Sequence, residues 1–319
     1  MNLIISELIA RSSYVSREFA YIVRDLIENY GWRHIETYDL LRDPRSLRSL
    51  LLNKFGELPE TILFLEGYDL LSAREKEING LDCHKCILCD DLHCWSLGMK
   101  QEKIKAFSMC DTILSTYGYI FDYYYPEFSN TNPVAWIPHS ASPDFMVDYN
   151  KNPENAIFLS GAVSDHYPLR QQMMDLFNNE ASRIVYHRHP GYHCHYDYEN
   201  NTNIGRGYAK TINKYRGAFT DSSKYKYVVA KYFEILATGS LLVADSTVSN
   251  ALKEIGLIEE VHYVPVSIED LKDKIEYVLD ENNHESLDEI RKKGQEQVWE
   301  KHKTSDRARL INNICIGAS

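Results

Sequence analysis

The segment KYFEILATGSLLVAD, Lys231–Asp245, constrains the fold of this chain more than any other. Residues Tyr227–Thr238 are good helix formers with apolar side chains almost all the way round, which is typical of a buried helix. Gly239 follows them and suits the left-handed residue that ends many helices. Leu241–Ala244 then predicts a short, fully buried strand that leads into Asp245. We therefore expect a buried helix, a tight turn and a buried strand.

Two charged residues interrupt this apolar helix, Lys231 and Glu234. Buried charges are kept only when something pairs with them. Residues three positions apart on a helix are in contact, so one explanation is that the two pair with each other. The other explanation is that both face a polar ligand in a cleft. The segment alone leaves both explanations open.

Short apolar segments alternate with helical ones along the whole chain. In the first half, strands are predicted at Leu3–Ile5, Arg33–Tyr38, Thr61–Leu65, Ile87–Cys89, Thr112–Ser115 and Val134–Ile137. In the second half, strands are predicted at Ala156–Ser160, Arg183–Tyr186, Gly217–Thr220 and Leu241–Ala244. Strands that alternate with helices are typical of parallel sheets covered on both faces. The sequence therefore predicts an α/β fold.

The segment Ser142–Pro153 contains two prolines, several polar residues and little periodicity, which is typical of a linker. A chain of 319 residues is long enough for two domains of ordinary size. We place an amino-terminal domain at residues 1–145 and a carboxyl-terminal domain at residues 146–303. The remaining residues, 304–319, predict a final helix that docks outside the second domain.

The composition argues against several kinds of protein. A hydrophobic content of 44% and a charged content of 25% are globular values. A net charge of −11 opposes nucleic-acid binding, which needs a basic face. No apolar run approaches membrane-spanning length, and the amino terminus lacks the basic start and long apolar stretch of a signal peptide. We therefore expect a cytoplasmic protein with no nucleic-acid partner and no membrane span.

Four of the seven cysteines are crowded together, with two histidines among them. They are Cys83, Cys86, Cys89 and Cys94, interleaved with His84 and His93. Such residues are ligands of zinc and iron–sulfur sites. However, Ile87–Asp90 predicts a buried strand, on which neighbouring side chains point to opposite faces. An odd number of cysteines also fits free thiols in a reducing compartment, so we predict small buried thiols and no metal, with a metal site as the alternative.

In parallel sheets, ligands bind beyond the carboxyl ends of the strands, so polar residues there are candidates for a site. In the second half, Ser160 and Gly161 form a tight turn that could bring backbone N–H groups to a phosphate. Arg170 lies in the first turn of the next helix, where a cation opposes the helix dipole, and this favours an anionic partner. His189 belongs to the polar loop after the following strand.

In the first half, Asp90, Asp91 and His93 follow a predicted strand. Two acids and a histidine could supply a general base, which contributes roughly 10²–10⁴ in rate. The alternative is an aspartate that caps the next helix beside a solvated neighbour. His139 also ends a strand, at the junction between the halves, although a lone histidine is usually a hydrogen-bonded loop residue.

Several well-known catalytic motifs are absent from the sequence. It contains no Walker-type phosphate loop and no GxGxxG, GxSxG or HExxH. These absences weigh against P-loop NTPases, NAD-dependent dehydrogenases, α/β hydrolases and zinc proteases.

The chain resembles glycosyltransferases of the two-domain GT-B type. It is most similar to the group 1 superfamily branch that includes CgeB-like bacterial proteins and giant-virus glycosyltransferases. KYFEILATGSLLVAD resembles the family's Lys/Arg-x-x-Glu-x-x-Ala-x-Gly segment. Further similar segments are ILCDDLH (Ile87–His93), AWIPHSASPDF (Ala135–Phe145), FLSGAVSDHYPLR (Phe158–Arg170) and the closing helix with Asp306, Arg307 and Ala308. Together they cover nearly the whole chain in order.

The resemblance implies two Rossmann-like domains that face a cleft, with the carboxyl-terminal helix packing back on the first domain. It implies a nucleotide-diphosphate sugar as donor, held mainly by the second domain, and no metal or other cofactor. Glu234 matches the family glutamate that accepts hydrogen bonds from the nucleotide ribose. Lys231, Arg170 and the Ser160-Gly161 turn would neutralise the diphosphate, and His189 would lie near the base or ribose.

The resemblance also implies an acceptor hydroxyl on a glycan, lipid or protein-linked sugar, held by the first domain. Asp91, supported by Asp90 and His93, is then the candidate for the base that activates this hydroxyl. His139 is the candidate on the sugar side of the cleft.

One position departs from the family's pattern. Many retaining members carry a second glutamate with seven residues between the pair, and here Lys226 stands at that position. A cation cannot accept hydrogen bonds from sugar hydroxyls, so recognition of the donor sugar must be built differently, and the stereochemical outcome stays open.

We therefore predict a hexosyl- or pentosyltransferase of viral or bacterial type. We expect it to be a monomer or weak homodimer, in the host cytoplasm if the protein is viral. The alternative is an inactive GT-B-like protein that binds a nucleotide sugar or glycan without turnover.

Overall fold

The computed structural model describes residues 1–129, 131, 134–178, 183–192 and 195–317. The chain forms two compact units. The first consists of Met1–Ser12, Phe19–Pro138 and Ser305–Ser319, and the second consists of Ser13–Glu18 and His139–Thr304. The second unit thus takes in residues 139–145, which the sequence-based boundary assigned to the first domain, together with a short amino-terminal segment.

The first unit is built on a six-stranded sheet in which all strand pairs are parallel. Its strands are β1 (Asn2–Ser6), β2 (Arg33–Glu36), β3 (Thr61–Leu65), β4 (His84–Cys89), β5 (Thr112–Ser115) and β6 (Val134–Trp136). The spatial order is β2-β1-β3-β4-β5-β6. The helices that precede or connect these strands are α1 (Leu8–Ser12), α2 (Glu18–Tyr30), α3 (Thr37–Arg42), α4 (Leu47–Phe55), α5 (Tyr68–Ala73), α6 (Glu75–Asn79), α7 (Leu97–Ser108) and α8 (Phe121–Tyr124).

The second unit has a five-stranded parallel sheet. Its strands are β7 (Glu154–Ser160), β8 (Ile184–His187), β9 (Tyr215–Thr220), β10 (Leu241–Asp245) and β11 (Val264–Val266), in the order β11-β10-β9-β7-β8. Its helices are α9 (Pro168–Phe177), α10 (Gly205–Asn213), α11 (Ala230–Ala237), α12 (Ser249–Glu254), α13 (Leu271–Leu279) and α14 (His284–Lys301). The last helix of the chain is α15 (Thr304–Gly317).

Each unit has its own apolar core. In the first, Ile4 of β1, Leu63 of β3 and Leu88 of β4 pack with Ile311 of α15, and all four side chains are almost completely buried. In the second, residues of β7, β9, β10 and β11 pack with α9, α13 and α14. Burying an aliphatic side chain of this kind contributes about 1.5–3 kcal/mol. The strands predicted from apolar runs thus supply core residues of both units.

Most of the predicted strands are confirmed, with shifts of a few residues at their ends. The strand predicted at Arg33–Tyr38 is too long, because α3 begins directly after Glu36. The sequence analysis missed β11. The sequence of β11 is only Val-Pro-Val, and the proline is tolerated because this strand lies at the edge of its sheet.

The structure also corrects the predicted linker. Within Ser142–Pro153, Pro143–Phe145 forms a 3₁₀ turn in which Asp144 and Phe145 are buried. The ring of Phe145 packs edge-on against Tyr208 of α10 at a centroid distance of 6.0 Å. Further along the same stretch, Asp148, Lys151 and Asn152 are exposed.

No helix within the described ranges is long and apolar enough to cross a membrane.

Candidate functional site

The carboxyl ends of β7, β8, β9 and β10 gather polar and glycine residues at one edge of the second sheet. β7 ends at Ser160 and is followed by Gly161, and β8 ends at His187. β9 is followed by Asp221, and β10 ends at Asp245. This edge is where ligands bind in open parallel sheets.

Both the backbone conformation and the close neighbouring side chains require a glycine at position 161. Its φ is +106°, a conformation that other residues rarely adopt. A Cβ atom at this position would lie 2.8 Å from Arg170 Nη1 and 3.3 Å from Lys231 Cε. Gly161 is itself buried, and the turn brings two cationic side chains against its backbone.

Arg170 has an anionic partner inside the protein, Asp221. Its side chain is 3% exposed, and its Nη2 lies 3.4 Å from Asp221 Oδ1. The backbone N–H of Arg170 donates to Asp221 Oδ2 at 3.1 Å, and Nη1 donates to the carbonyl of Ala162 at 3.0 Å. Burial raises the pKa of Asp221, and Arg170 opposes that rise. Because Arg170 is partly neutralised by Asp221, Lys231 is the stronger of the two cations for an external anion.

Among the described residues Lys231 makes no ion pair with Glu234 within 4.0 Å, although each influences the pKa of the other. Its Nζ donates to the hydroxyl of Tyr208 at 3.2 Å and lies 5.2 Å from the centre of that ring. The same hydroxyl lies 2.5 Å from Ser160 Oγ. Burial lowers the pKa of Lys231, but Tyr208 and Glu234 outweigh this effect and the pKa is raised. Lys231 is therefore a cation at neutral pH.

Glu234 is a buried carboxylate, 8% exposed, that forms no hydrogen bond or ion pair with any residue the structure describes. Burial raises the pKa of Glu234, Lys231 and His139 lower it, and Glu18 and Asp144 raise it further. A buried carboxylate without a donor is costly. Glu234 can accept hydrogen bonds from the hydroxyl groups of a ligand without giving up a partner in the protein.

His139 is held by Glu18, a residue the sequence analysis did not single out. His139 Nδ1 lies 2.7 Å from Glu18 Oε2, and both side chains are almost completely buried. The backbone N–H and the hydroxyl of Ser140 donate to Glu18 Oε1 at 2.6 and 2.8 Å. Since 121 positions separate Glu18 from His139, no local pattern could have predicted this contact.

The segment Ser13–Glu18 is fixed in the second unit by a further ion pair. The guanidinium of Arg17 donates to both oxygens of Asp144, at 3.0 and 2.5 Å. It also lies 3.7 Å from the centre of the Tyr198 ring. Bidentate pairs of this kind restrict orientation strongly, so the position of Glu18 is well defined.

The pKa values of two histidines at this edge are lowered by burial and by nearby cations. Burial lowers the pKa of His189 to about 4, and Lys231, Arg170 and His187 lower it in the same direction. Burial and Lys231 also lower the pKa of His187. The backbone N–H of Gly191 donates to His189 Nδ1 at 3.0 Å, so the neutral ring of His189 carries its proton on Nε2.

Lys226 is an exposed residue of the loop between β9 and α11, with a φ of +57°. Its backbone N–H donates to the carbonyl of Ser223 at 3.1 Å. This turn delays the start of α11 to Ala230, three residues later than the sequence analysis placed it. The helix ends as predicted, with Gly239 at a φ of +74°.

The candidate catalytic residues Asp90, Asp91 and His93 follow the carboxyl end of β4, in the first unit. Asp90 accepts a hydrogen bond from Thr116 Oγ1 at 2.9 Å. The Asp91 side chain is 58% exposed, and its Oδ1 lies 3.8 Å from His93 Nδ1. The ring of His93 packs edge-on against Trp95 at 4.9 Å. The three predicted residues therefore cluster, but Asp91 is far more exposed than Glu18, Glu234 or His139.

The crowded cysteines are dispersed by the strand they belong to. Cys86 packs in the apolar core with Cys315 of α15. Cys89, three positions along β4, points to the opposite face, where its Sγ contacts the carbonyl of Asp91 at 3.6 Å. Burial raises the pKa of the Cys89 thiol to about 12. Across the described ranges, no three His, Cys, Asp or Glu side chains are grouped to hold a metal ion.

Two parallel-sheet, Rossmann-like units, one with six strands and one with five, define the GT-B class of fold. Comparison with known proteins agrees. Residues 163–313 match the family described as glycosyl transferase-like. This match covers most of the second unit and includes Arg170, His189, Lys231 and Glu234. No curated protein sequence matches the chain.

Among solved structures, sucrose-phosphate synthase from Thermosynechococcus elongatus is 12% identical, with a TM-score of 0.67 and coverage of 100% of this chain and 99% of its own. An alpha-glucosyltransferase in complex with UDP-glucose and DNA is 13% identical, with a TM-score of 0.60 and coverage of 99% and 98%. A glycosyltransferase from Rickettsia africae ESF-5 is 10% identical, with a TM-score of 0.57 and coverage of 100% and 99%. These likenesses confirm the predicted GT-B fold over the full length of the chain.

Proposed function

We propose that this protein is a glycosyltransferase that moves a hexosyl or pentosyl group from a nucleotide-diphosphate sugar to a hydroxyl acceptor. The observation that carries the proposal is Glu234, a buried carboxylate with no hydrogen-bond donor among the described residues. It stands in the segment that resembles the ribose-binding motif of GT-B glycosyltransferases. Two ribose hydroxyls would supply the donors that the protein does not. Charge-assisted bonds of this kind contribute about 1.5–3 kcal/mol each.

The diphosphate would be held by Lys231 and the Gly161 turn, with Arg170 behind them. Lys231 remains charged at neutral pH, because Tyr208 and Glu234 overcome the effect of burial on its pKa. A fixed cation beside backbone N–H groups stabilises the negative charge that develops as the nucleoside diphosphate leaves. We propose that this arrangement takes the place of a metal ion in the reaction.

His189 would donate from its protonated Nε2 to the base or ribose. Its ring is neutral because Lys231 and Arg170 add to the effect of burial on its pKa. The same two cations that favour a diphosphate therefore keep a neutral histidine next to it.

The acceptor proposed here is a hydroxyl on a glycan, lipid or protein-linked sugar. One solved alpha-glucosyltransferase of this fold is in complex with DNA. The net charge of −11 opposes a polyanionic acceptor for this chain, because binding to nucleic acid depends on neutralising phosphates with a basic face. Asp91, supported by Asp90 and His93, stays the predicted base that activates the acceptor hydroxyl. Placement in the CgeB-like and giant-virus branch rests on the sequence motifs alone.

The proposal is tested by thermal shift with UDP-, GDP-, ADP-, TDP- and CMP-linked sugars. A ligand at about 100 times its dissociation constant adds roughly 2.7 kcal/mol to stability, which is readily measured. We expect one nucleotide class to stabilise the wild type and to lose this effect in Glu234→Gln. The amide keeps the shape of the side chain but replaces one acceptor oxygen by a donor.

The matched control is Glu276→Gln, at a side chain on α13 that is 66% exposed. It should keep the full ligand-induced shift. If Glu234→Gln also keeps it, the assignment of Glu234 to the ribose is wrong. Release of nucleoside diphosphate from the stabilising donor in the presence of candidate glycans would then separate a transferase from a protein that only binds.

A further inference from the structure

Tyr208 connects two polar side chains at the carboxyl edge of the second sheet. Its hydroxyl lies 2.5 Å from Ser160 Oγ and 3.2 Å from Lys231 Nζ. Its ring packs against the rings of Phe145 and Phe158, each at a centroid distance of 6.0 Å. The tyrosine is only 9% exposed, so this packing fixes the position of its hydroxyl.

The chemistry of the three groups determines the direction of these hydrogen bonds. The ammonium group of Lys231 only donates, so the Tyr208 oxygen is its acceptor. The Tyr208 proton then has Ser160 Oγ as the only acceptor that the described residues provide. A buried hydroxyl that does not donate is costly, so Tyr208 donates to Ser160. The hydrogen bonds therefore run from Lys231 to Tyr208 and from Tyr208 to Ser160.

This series ends in a hydroxyl that still has a proton to donate. Ser160 is 5% exposed, and Tyr208 is its only side-chain hydrogen-bond partner in the described ranges. Because its oxygen accepts from Tyr208, its own proton has no acceptor among those residues. The remaining N–H groups of Lys231 have no acceptor there either.

The unused donors meet at the Gly161 turn. Ser160 directly precedes Gly161, and Lys231 Cε lies 3.3 Å from the place where a Cβ of residue 161 would stand. Buried donors without acceptors are costly in the ligand-free protein. A hydroxyl and an ammonium group that both lack acceptors beside one turn indicate a ligand with anionic oxygens.

We propose that the Ser160 hydroxyl donates to the diphosphate of the nucleotide sugar, and that Tyr208 is the positioning residue that directs both Ser160 and Lys231 towards it. This inference rests on the proposed function, which places the diphosphate at Lys231 and the Gly161 turn. The lysine polarises the tyrosine hydroxyl, and the polarised O–H makes Ser160 a stronger donor, because successive hydrogen bonds reinforce one another. Tyr208 therefore acts on the ligand through its two neighbours.

The test is a double-mutant cycle of Ser160→Ala and Tyr208→Phe, with inorganic pyrophosphate as the probe. Pyrophosphate has no ribose, so its binding does not depend on the assignment of Glu234. Tyr208→Phe keeps the ring and removes only the hydroxyl. We expect each single variant to raise the Kd of pyrophosphate about 10- to 100-fold, the usual effect of losing a hydrogen bond to a charged group. Isothermal titration calorimetry of the full-length protein in buffer with EDTA gives the Kd.

The double variant separates a positioning role from a structural one. If Tyr208 acts through Ser160, the two substitutions are strongly coupled. We then expect the double variant to bind pyrophosphate within about threefold of the weaker single variant. Urea unfolding of the ligand-free variants shows whether each is folded, and Ser160→Ala alone decides the role of the serine if Tyr208→Phe does not fold.

The matched control is a second tyrosine–serine pair in the same unit. Tyr263 is fully buried, and its hydroxyl donates to Ser249 Oγ at 3.1 Å. No hydrogen bond between described residues links this pair to Lys231. Tyr263→Phe and Ser249→Ala should therefore leave the Kd of pyrophosphate within about threefold of the wild-type value.

Three results would overturn the inference: no binding of pyrophosphate to the wild type, single variants with a Kd within about threefold of wild type, or single effects that multiply in the double variant. The proposed function fails on a different result, namely that no nucleotide sugar stabilises the wild type in the thermal-shift panel. A nucleotide sugar that stabilises the wild type, together with unchanged pyrophosphate binding in both single variants, removes only the roles of Ser160 and Tyr208.

Discussion

Charged residues at the carboxyl edge of the second sheet differ in whether the protein supplies them with an ion-pair or hydrogen-bond partner. Arg170 has Asp221 at 3.4 Å, and Lys231 has the hydroxyl of Tyr208. Glu234, which is 8% exposed, has no hydrogen-bond donor among the described residues. Because an unpaired buried charge is costly, such a residue indicates a ligand more clearly than a paired one does.

His189 should contribute to the pH dependence of the free energy of unfolding. The pKa of His189 is about 4 in the folded protein, compared with an ordinary value of 6.5. The unfolded chain therefore binds the proton more readily. The stability associated with the neutral ring is complete above pH ~6.5, decreases as the pH falls and is lost below pH ~4. The loss is at most about 3.5 kcal/mol, since each pKa unit corresponds to ~1.4 kcal/mol.

We expect His189→Asn to unfold with a smaller loss of free energy between pH 7 and pH 4.5 than the wild type, as measured in urea. His195→Asn, at an exposed position, is the control and should follow the wild type. An acid-induced loss in His189→Asn as large as that of the wild type would contradict the lowered pKa. A bound nucleotide diphosphate should also raise the pKa of His189, because it neutralises Lys231.

Among the elements, α15 has a role that its position at the end of the chain does not reveal. Its residues Ala308, Ile311 and Cys315 are fully buried in the core of the first unit. Asn312 Oδ1 accepts a hydrogen bond from Trp32 Nε1 at 3.0 Å. Arg307 Nε donates to the carbonyl of Pro138 at 2.7 Å. The helix is therefore part of the first unit's core rather than a peripheral tail.

We predict that Ile311→Ala lowers the free energy of unfolding by about 2–5 kcal/mol, the usual effect of removing a buried aliphatic side chain. Ile316→Ala lies on the same helix at a side chain that is 37% exposed, and it should cost much less. Urea unfolding of the two variants gives the comparison. If Ile311→Ala costs no more unfolding free energy than Ile316→Ala, α15 contributes little to the core.

For the molecule as a whole, the notable feature is that Ser13–Glu18 belongs to the second unit although the chain on both sides belongs to the first. Its carbonyl at Ser13 accepts from the backbone N–H of Tyr196 at 2.8 Å, and Arg17 and Glu18 bind Asp144, His139 and Ser140. The amino terminus thus supplies part of the candidate site.

Donor binding should therefore protect residues 13–18 from amide hydrogen exchange together with residues 139–145 and 230–237. Binding at Glu234 stabilises the groups that pack around it, and exchange reports local opening. Peptides from α4, Leu47–Phe55, serve as the internal reference and should not change. Protection of the second unit without any effect on residues 13–18 would contradict this assignment.

The sequence by itself determined the alternation of strands and helices, and hence the α/β class. Apolar runs and helix-ending glycines are local signals, so β3, β5 and Gly239 were predicted correctly. The motif around Glu234 also predicted a carboxylate on a buried helix. These features depend on neighbouring residues in the chain, which a sequence pattern records directly.

Only the tertiary structure decided which charges find partners. Lys231 contacts Tyr208 rather than Glu234, Arg170 contacts Asp221, and Glu18 reaches His139 across 121 positions. The contact between Arg170 and Asp221 is possible because β7 pairs with β9, which brings the ends of these two strands together. Strand order and the path of Ser13–Glu18 are set by the packing of whole elements, and no local spacing in the sequence encodes them.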